Sequence, residues 1–308
     1  MKEKILNIIK IVISVLIMFF LLKRVDVAEF REVLSDTGPF IYIVAAAIYI
    51  FSVFLTAVKW HVILPDTALG FLTYLSFRAQ LYSTVLPGQL FGEASKIASW
   101  HKKEDVMKVT ASVFFDKITG MIGQVILAVV GLSFSQIGRQ SGNTCLFLFL
   151  GAAFICLVLV STERHIKDLI CRLLNSIKGR QEKIGCRLCN FYSAWCCFST
   201  DKGILAKSVL WGIINQFMGI LMIWFVSEML ALHIGIMDYC WIMPALSIIL
   251  LIPISFAGIG LRDASLASML AIYGVAPGNS LIISAIWLLG QVLSAVIGGV
   301  MMIIVKWK

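Results

Sequence analysis

Charged residues are scarce in this chain: they make up 14% of its 308 residues, whereas hydrophobic residues make up 60%. A soluble domain of this length needs far less apolar sequence to fill one core, which excludes a soluble enzyme or a soluble binding module. Only four histidines are present, and their positions lack the spacing of metal ligands. The sequence therefore predicts a polytopic membrane protein with neither a metal site nor a cofactor.

The chain is instead rich in apolar runs, each close to the roughly 20 residues that cross a bilayer. Six of these runs predict membrane-spanning helices, at 5–22, 39–58, 106–131, 143–160, 203–228 and 278–305. Two further runs, at 71–91 and 241–272, contain proline, glycine and charged residues, and they predict broken or re-entrant helices. We therefore predict an all-α membrane protein, with residues 1–308 forming one integral membrane domain.

The basic residues indicate the orientation of the chain. Lysine and arginine outnumber aspartate and glutamate by 26 to 17, and they concentrate beside the predicted spans, which favours a positive-inside pattern over a nucleic-acid surface. If both broken segments return to the side they entered from, every basic-rich stretch lies in the cytoplasm, together with both termini. The basic stretch 161–202 predicts an amphipathic helix on the inner leaflet, although an ordinary solvated connector explains its pattern nearly as well.

The predicted elements fall into two halves, 1–138 and 139–308, each with the order span, span, broken helix, span. Three crossings in each half place the halves in opposite orientations, as in inverted-repeat transporters. Two similar segments support the repeat: GQVILAVVG at 123–131 and GQVLSAVIG at 290–298. The same order, charge pattern and motif therefore recur in both halves.

The broken segments also share a local pattern. Pro87 is followed by Gly92 and Pro253 by Gly258, five positions later in both cases, and an acidic residue before Ala-Ser comes after each. Helix N-termini at such breaks expose backbone N–H groups and favour a phosphate or carboxylate. The residues that we expect to shape this backbone are Pro87, Gly88, Gly92, Pro253, Gly258 and Gly260.

Charged side chains inside apolar sequence are the candidates for binding a substrate. Asp116 and Lys117 fall near the predicted bilayer midplane, where each charge costs about 2.5 to 3.5 kcal/mol to insert. Arg262 is a bidentate donor for phosphate, and Asp263 beside it either orients the arginine or attracts an amine. A structural role, in which these charges only pair with one another, stays open. The candidate substrate-binding residues are Arg78, Glu93, Lys96, Asp116, Lys117, Arg262 and Asp263.

Two catalytic or metal-binding interpretations are less favoured. Asp263 and Asp116 are faintly similar to an intramembrane aspartyl protease pair, but a basic residue beside each would keep both ionised, whereas a protease pair shares a proton. Cys186 and Cys189, with the Cys196–Cys197 pair, lack the ligand spacing of a zinc site, so we interpret them as reduced thiols.

Taken in order, these motifs resemble the transmembrane region of the lysylphosphatidylglycerol synthase/flippase family. The residues that carry the likeness are 86–93, Asp116-Lys117 followed by Gly120, and the stretch 253–263. Lysine stands at 117 where the family usually has arginine, and aspartate at 263 where it usually has glutamate. The resemblance covers essentially the whole chain.

The resemblance implies a domain that moves a lipid headgroup between the leaflets of a bacterial inner membrane, aminoacylated phosphatidylglycerol being the best-known cargo. It also implies a stand-alone member that lacks the soluble aminoacyltransferase domain, so we expect no lysyltransferase activity. The expected cargo is an anionic or aminoacylated phospholipid, or a polyprenyl-linked lipid. Two alternatives stay open: a membrane subunit or scaffold of lipid or envelope-glycan synthesis, and a secondary transporter of a small solute.

The expected partner is a membrane phospholipid or lipid-linked substrate, and no nucleic acid is expected. A second copy of the chain and a soluble lipid-modifying enzyme are further candidate partners.

Overall fold

The structure is a computed structural model that describes residues 38–86, 90–100, 106–135, 182–250 and 258–304. Throughout this part of the chain the regular structure is α-helical, which confirms the predicted all-α class. Several expectations fall on residues outside the described ones: the predicted spans 5–22 and 143–160, and Pro87, Gly88 and Pro253.

Nine helices are present in the described ranges. They are α1 (Pro39–Ile63), α2 (Leu69–Val85), α3 (Leu90–Ala98), α4 (Val106–Phe134), α5 (Glu182–Thr200), α6 (Lys202–Met229), α7 (Ile236–Ile249), α8 (Leu261–Ala271) and α9 (Pro277–Ile304). Four of them, α1, α4, α6 and α9, are long and apolar enough to cross a membrane. These four coincide with predicted spans, so the chain is a membrane protein with several apolar spans.

Local sequence explains where several helices begin. Pro39 opens α1, where a missing backbone N–H costs nothing. The Asp201 carboxylate caps α6 by accepting hydrogen bonds from the backbone N–H groups of Gly203, at 2.8 Å, and Ile204, at 3.0 Å. The cap pairs backbone N–H groups of the first turn that have no partner within the helix, so it defines the residue at which α6 begins.

The predicted broken segment 71–91 covers most of α2 and only the first two residues of α3, which continues to Ala98, whereas 241–272 covers most of α7 and all of α8. In both segments, residues outside the described ones lie between the two helices. Gly258 and Gly260 precede α8 with φ angles of +79° and +81°, which L side chains rarely adopt. At Gly92 a Cβ atom would lie 2.6 Å from the Ala79 carbonyl oxygen, so α3 packs closely against α2. Glycine is therefore required by the backbone at both segments.

The packing of the helices follows one pattern in both halves. We compare α1 to α4 of the first half with α6 to α9 of the second half, in order. The first helices of the two sets, α1 and α6, pack against each other. The last long helix of each half packs against two helices of the other half: α4 contacts α6 and α7, and α9 contacts α1 and α2. The fold thus has a two-fold arrangement of contacts, with the halves interlocked.

The repeated glycine-glutamine segments lie at these contacts between halves. A Cβ at Gly123 of α4 would lie 2.9 Å from the backbone nitrogen of Ile213 in α6, and a Cβ at Gly290 of α9 would lie 2.8 Å from Tyr49 Cβ in α1. Gly298 contacts the Phe77 carbonyl of α2 in the same way. Small residues let apolar helices approach closely, which is how helices associate within a bilayer.

The end of the basic stretch 161–202 forms α5, which packs against α4 through aromatic rings. The ring centroids of Phe115 and Trp195 are 5.4 Å apart, and those of Phe114 and Phe191 are 5.8 Å apart. The basic and apolar residues at 164–177, on which the prediction of an amphipathic helix depends, lie outside the described residues.

Candidate functional site

A polar cavity lies between the two halves, where both broken segments meet the long helices. The largest of three adjoining cavities has a volume of about 330 Å³, and all three share Thr56, Asn215 and Gln216 as lining residues. Such a polar space inside an otherwise apolar membrane domain is the first place to look for a substrate site. The charged residues that line the three cavities are Lys59, Glu93, Lys96, Asp116, Lys117 and Arg262.

Glu93 and Lys96 form an ion pair within α3. The Lys96 Nζ atom lies 2.9 Å from Glu93 Oε2, and it lies 5.1 Å from the centroid of the Trp60 ring in α1. Lys96 is buried, so the carboxylate and the aromatic face together compensate its charge. The spacing of three residues along one helix face places the two charges side by side.

Asp116 pairs with a residue that sequence reasoning did not select. The Nζ atom of Lys59, in α1, lies 3.1 Å from Asp116 Oδ1 and also donates a hydrogen bond to the Asp116 carbonyl oxygen. Both residues are buried, with 4% of Lys59 and 7% of Asp116 exposed. Lys59 follows the predicted span 39–58 directly, where a lysine is typical of a membrane interface, so its position does not indicate this role.

Lys117, the neighbour of Asp116, lacks a carboxylate partner. Consecutive residues on a helix point about 100° apart, so the two side chains diverge. Three ion pairs are present in the described part of the chain, and Lys117 belongs to none of them. It is half-buried and lines two of the cavities. Its ammonium group is therefore a cation available to a bound anion.

Arg262 enters the largest cavity from the first turn of α8, only 2% exposed. Its Nε donates to Ser284 Oγ at 2.8 Å and its Nη1 donates to Gln291 Oε1 at 3.3 Å, both in α9. Its guanidinium carbon lies 5.4 Å from the Trp287 ring centroid. Three side chains of α9 thus fix the orientation of the guanidinium, and sequence reasoning selected none of the three.

Asp263 holds the start of α8 and does not line the three cavities. One carboxylate oxygen accepts a hydrogen bond from the Gly260 backbone N–H at 2.8 Å, and the other accepts from the Ser284 hydroxyl. The second oxygen also lies 3.6 Å from Arg262 Nε. The residue therefore positions the arginine and caps the helix.

Arg78 lies on α2 and does not line these cavities either. Its guanidinium carbon lies 5.4 Å from the Tyr82 ring centroid. Of the predicted backbone-shaping glycines in the described residues, Gly92 and Gly258 line the largest cavity. The structure thus brings five of the seven candidate charged residues to the cavities, and leaves Arg78 and Asp263 off their walls.

Uncharged polar side chains form a further part of the cavity wall, the neutral wall, beside apolar side chains such as Val53 and Leu250. Asn215 Nδ2 donates to Thr56 Oγ1 at 3.2 Å, linking α6 to α1. Gln124 Nε2 donates to Gln216 Oε1 at 3.1 Å, linking α4 to α6. The Asn215-Gln216 pair inside the apolar run 203–228 was the available sequence signal for this wall, because uncharged amides are also costly in lipid.

The charges at the site do not cancel. Four cationic side chains, Lys59, Lys96, Lys117 and Arg262, gather near three acidic ones, Glu93, Asp116 and Asp263. The net balance is one positive charge in a space mostly screened from water. Such a site is complementary to a singly charged anion, such as a phosphodiester.

Comparison with known proteins gives one match. The model of the family described as "Lysylphosphatidylglycerol synthase TM region" matches residues 7–299. No curated protein and no solved structure matches the chain.

Proposed function

The chain belongs to the lysylphosphatidylglycerol synthase TM region family, and on that premise we propose that it is a flippase-like protein that moves an anionic lipid headgroup between the leaflets of a bacterial inner membrane. The observation that carries the proposal is the net positive, polar cavity between the two halves, with Lys117 unpaired inside it. Lys117 belongs to none of the ion pairs of the described residues and is half-buried in the cavity wall, so an anionic ligand can supply its missing close partner.

Lys117 and Arg262 are the proposed phosphate ligands. They line the same cavity and come from different halves, Lys117 from α4 and Arg262 from α8. Ser284 and Gln291 occupy two of the five N–H donors of the guanidinium, so donors remain for a phosphate oxygen. Arginine and lysine together match the charge and geometry of a phosphodiester.

The proposed architecture is the predicted one: six spans and two re-entrant helices in two inverted repeats, with both termini in the cytoplasm. The repeated packing of α4 on α6 and α7, and of α9 on α1 and α2, supports it. In such a fold the headgroup occupies the polar cavity between the repeats while the acyl chains stay in the bilayer. Rocking of one repeat against the other then opens the site to either leaflet.

A vesicle assay tests the proposal. The purified protein is reconstituted with phosphatidylglycerol that carries a fluorophore on one acyl chain, and a membrane-impermeant reductant measures how fast the inner-leaflet label becomes accessible. Lys117→Gln should slow this exchange by at least about tenfold, since it removes a charge-assisted contact to the phosphate. Lys108→Gln is the matched control, because Lys108 lies on the same helix and is exposed.

Three outcomes would contradict the proposal. Wild-type vesicles that exchange label no faster than protein-free vesicles would exclude lipid movement by this chain alone. A folded Lys117→Gln protein with the wild-type rate would exclude the assigned site. Stabilisation against thermal unfolding by water-soluble anions, with none by lipids, would favour a small-solute transporter.

A further inference from the structure

The carboxylates of the site already have partners in the protein. Glu93 pairs with Lys96, and Asp116 pairs with Lys59. Asp263 accepts hydrogen bonds from the start of α8 and from Ser284. A headgroup ammonium entering this cavity would therefore find each acidic group already compensated, and it would meet a net positive charge.

Two tryptophan rings beside the site are occupied in the same way. Lys96 lies over the Trp60 ring at 5.1 Å, and Arg262 lies over the Trp287 ring at 5.4 Å. Proteins hold substrate ammonium groups chiefly with carboxylates or with aromatic faces. Since the protein's own cations use the carboxylates and both tryptophan rings, a substrate amine finds few groups left to compensate its charge.

The neutral wall, which contains Asn215 and Gln216, includes buried polar atoms that lack a hydrogen-bond partner. Asn215 Oδ1 is buried, and it accepts no hydrogen bond from any described residue, although Asn215 Nδ2 is bonded to Thr56. The hydroxyl of Ser76, in the wall of the same cavity, is also buried without a partner among the described residues. A buried acceptor needs a donor, and a phosphodiester supplies none because its oxygens only accept.

A hydroxyl group satisfies such a wall, since it donates to a carbonyl oxygen and accepts from an amide N–H. Asn215 and Gln216 line the same cavity as Lys117 and Arg262, so a single ligand can reach both kinds of group. The volume of about 330 Å³ is at the lower end of small-molecule sites, which run from about 300 to 1,000 Å³. This size suits one compact headgroup.

We infer that the cavity selects a phosphodiester whose headgroup carries free hydroxyl groups, a polyol or a single sugar, and that it discriminates against aminoacylated headgroups. Lys117 and Arg262 hold the phosphate, while Asn215 and Gln216 bond the hydroxyls. The inference rests on the proposed function, because it assigns the substrate class of the same site.

Binding measurements on the purified full-length protein test this selectivity apart from transport. The probes are three short-chain lipids, phosphatidylglycerol, phosphatidylmethanol and lysylphosphatidylglycerol, together with soluble glycerol phosphate. Wild-type protein should bind phosphatidylglycerol about three- to tenfold more tightly than phosphatidylmethanol, a phosphodiester of the same charge that lacks the polyol. Its affinity for lysylphosphatidylglycerol should be lower than for phosphatidylglycerol, because the added ammonium meets compensated carboxylates.

Asn215→Leu should reduce the affinity for phosphatidylglycerol to that for phosphatidylmethanol, and leave the affinity for phosphatidylmethanol unchanged. Asn190→Leu, at an exposed position of α5, is the matched control. If Asn215→Leu does not fold, Gln216→Met gives the same comparison. Equal wild-type affinities for phosphatidylglycerol and phosphatidylmethanol, or tighter binding of the lysyl lipid, would overturn the inference.

The two proposals fail separately. Selective binding without label exchange in vesicles would refute lipid movement and leave the hydroxyl selectivity intact. Label exchange at equal rates for phosphatidylglycerol and phosphatidylmethanol would support lipid movement and refute the selectivity. Soluble glycerol phosphate that binds as tightly as the lipid would support the hydroxyl-phosphate chemistry while it refutes a lipid as the source of the headgroup.

Discussion

Replacing Lys59 with methionine should destabilise the protein strongly. Methionine keeps much of the apolar stem and removes the ammonium, so the Asp116 carboxylate is left buried without its cation. At the observed 3.1 Å separation and an effective dielectric constant of about 20, the attraction between the two charges is about 5 kcal/mol. Breaking a buried pair from one side typically costs about 3 to 5 kcal/mol, so we expect a loss of that size in the free energy of unfolding.

The double variant Lys59→Met/Asp116→Leu separates two contributions to stability: the cost of burying an unpaired carboxylate, and the net stabilisation by the ion pair. With both charges removed, no uncompensated group stays buried, and an apolar pair of similar volume is often neutral or stabilising. We therefore expect the double variant to lie within about 1 kcal/mol of wild type, well above the single variant. Lys207→Met is the control, because Lys207 is exposed on α6.

Unfolding in mixed micelles, followed by tryptophan fluorescence, measures these differences. The chain has eight tryptophans, among them the fully buried Trp60 beside Lys59, so their combined emission follows the unfolding of the whole domain. A single variant within about 1 kcal/mol of wild type would refute the reasoning. A double variant as unstable as the single one would refute it too, since the loss would then come from packing.

Two smaller perturbations test the helix contacts and the caps. Gly123→Ala should lower the free energy of unfolding by about 1 to 3 kcal/mol, because its Cβ would lie 2.9 Å from the backbone nitrogen of Ile213. Gly219→Ala is the control, since a Cβ there enters open space and should be neutral or stabilising by up to about 1 kcal/mol. Equal unfolding midpoints for the two variants would contradict the close approach of α4 and α6. Asp201→Ala should lower the free energy of unfolding by about 1 kcal/mol, because it removes the cap of α6. Asp201→Asn should keep most of the wild-type stability, because the asparagine side-chain oxygen still accepts the capping hydrogen bonds. An equal loss in both variants would mean that the charge stabilises the helix and the hydrogen bonds do not.

The sequence predicted the long helices well, because crossing a bilayer is a local property. The runs 39–58, 106–131, 203–228 and 278–305 became α1, α4, α6 and α9 with ends shifted by at most a few residues. A stretch of apolar side chains must be helical in lipid whatever it packs against, so no tertiary information is needed. The resemblance to the lysylphosphatidylglycerol synthase transmembrane region is confirmed for the same reason, since its motifs are local.

The partners within the site could not be predicted in this way. Asp116 and Lys117 are neighbours in sequence, yet Asp116 pairs with Lys59, fifty-seven positions away along the chain. Arg262 is likewise held by Ser284 and Gln291 of another helix. Such pairs depend on which helix faces pack against each other, and this cannot be predicted from the apolar pattern of a single sequence. Pairs within one helix, such as Glu93 with Lys96, follow directly from spacing.

The two halves repeat their backbone contacts but not their charges. In the first half, Lys96 and Lys59 are compensated by carboxylates, and Lys117 is left over. In the second half, the Asp263 carboxylate is engaged by the start of α8 and by Ser284, so Arg262 is only loosely compensated at 3.6 Å. Each half thus contributes to the shared cavity one cation that no carboxylate holds in a close ion pair. Under the proposed function, a phosphate that contacts both bridges the two halves, so headgroup binding and closure of the halves stabilise each other.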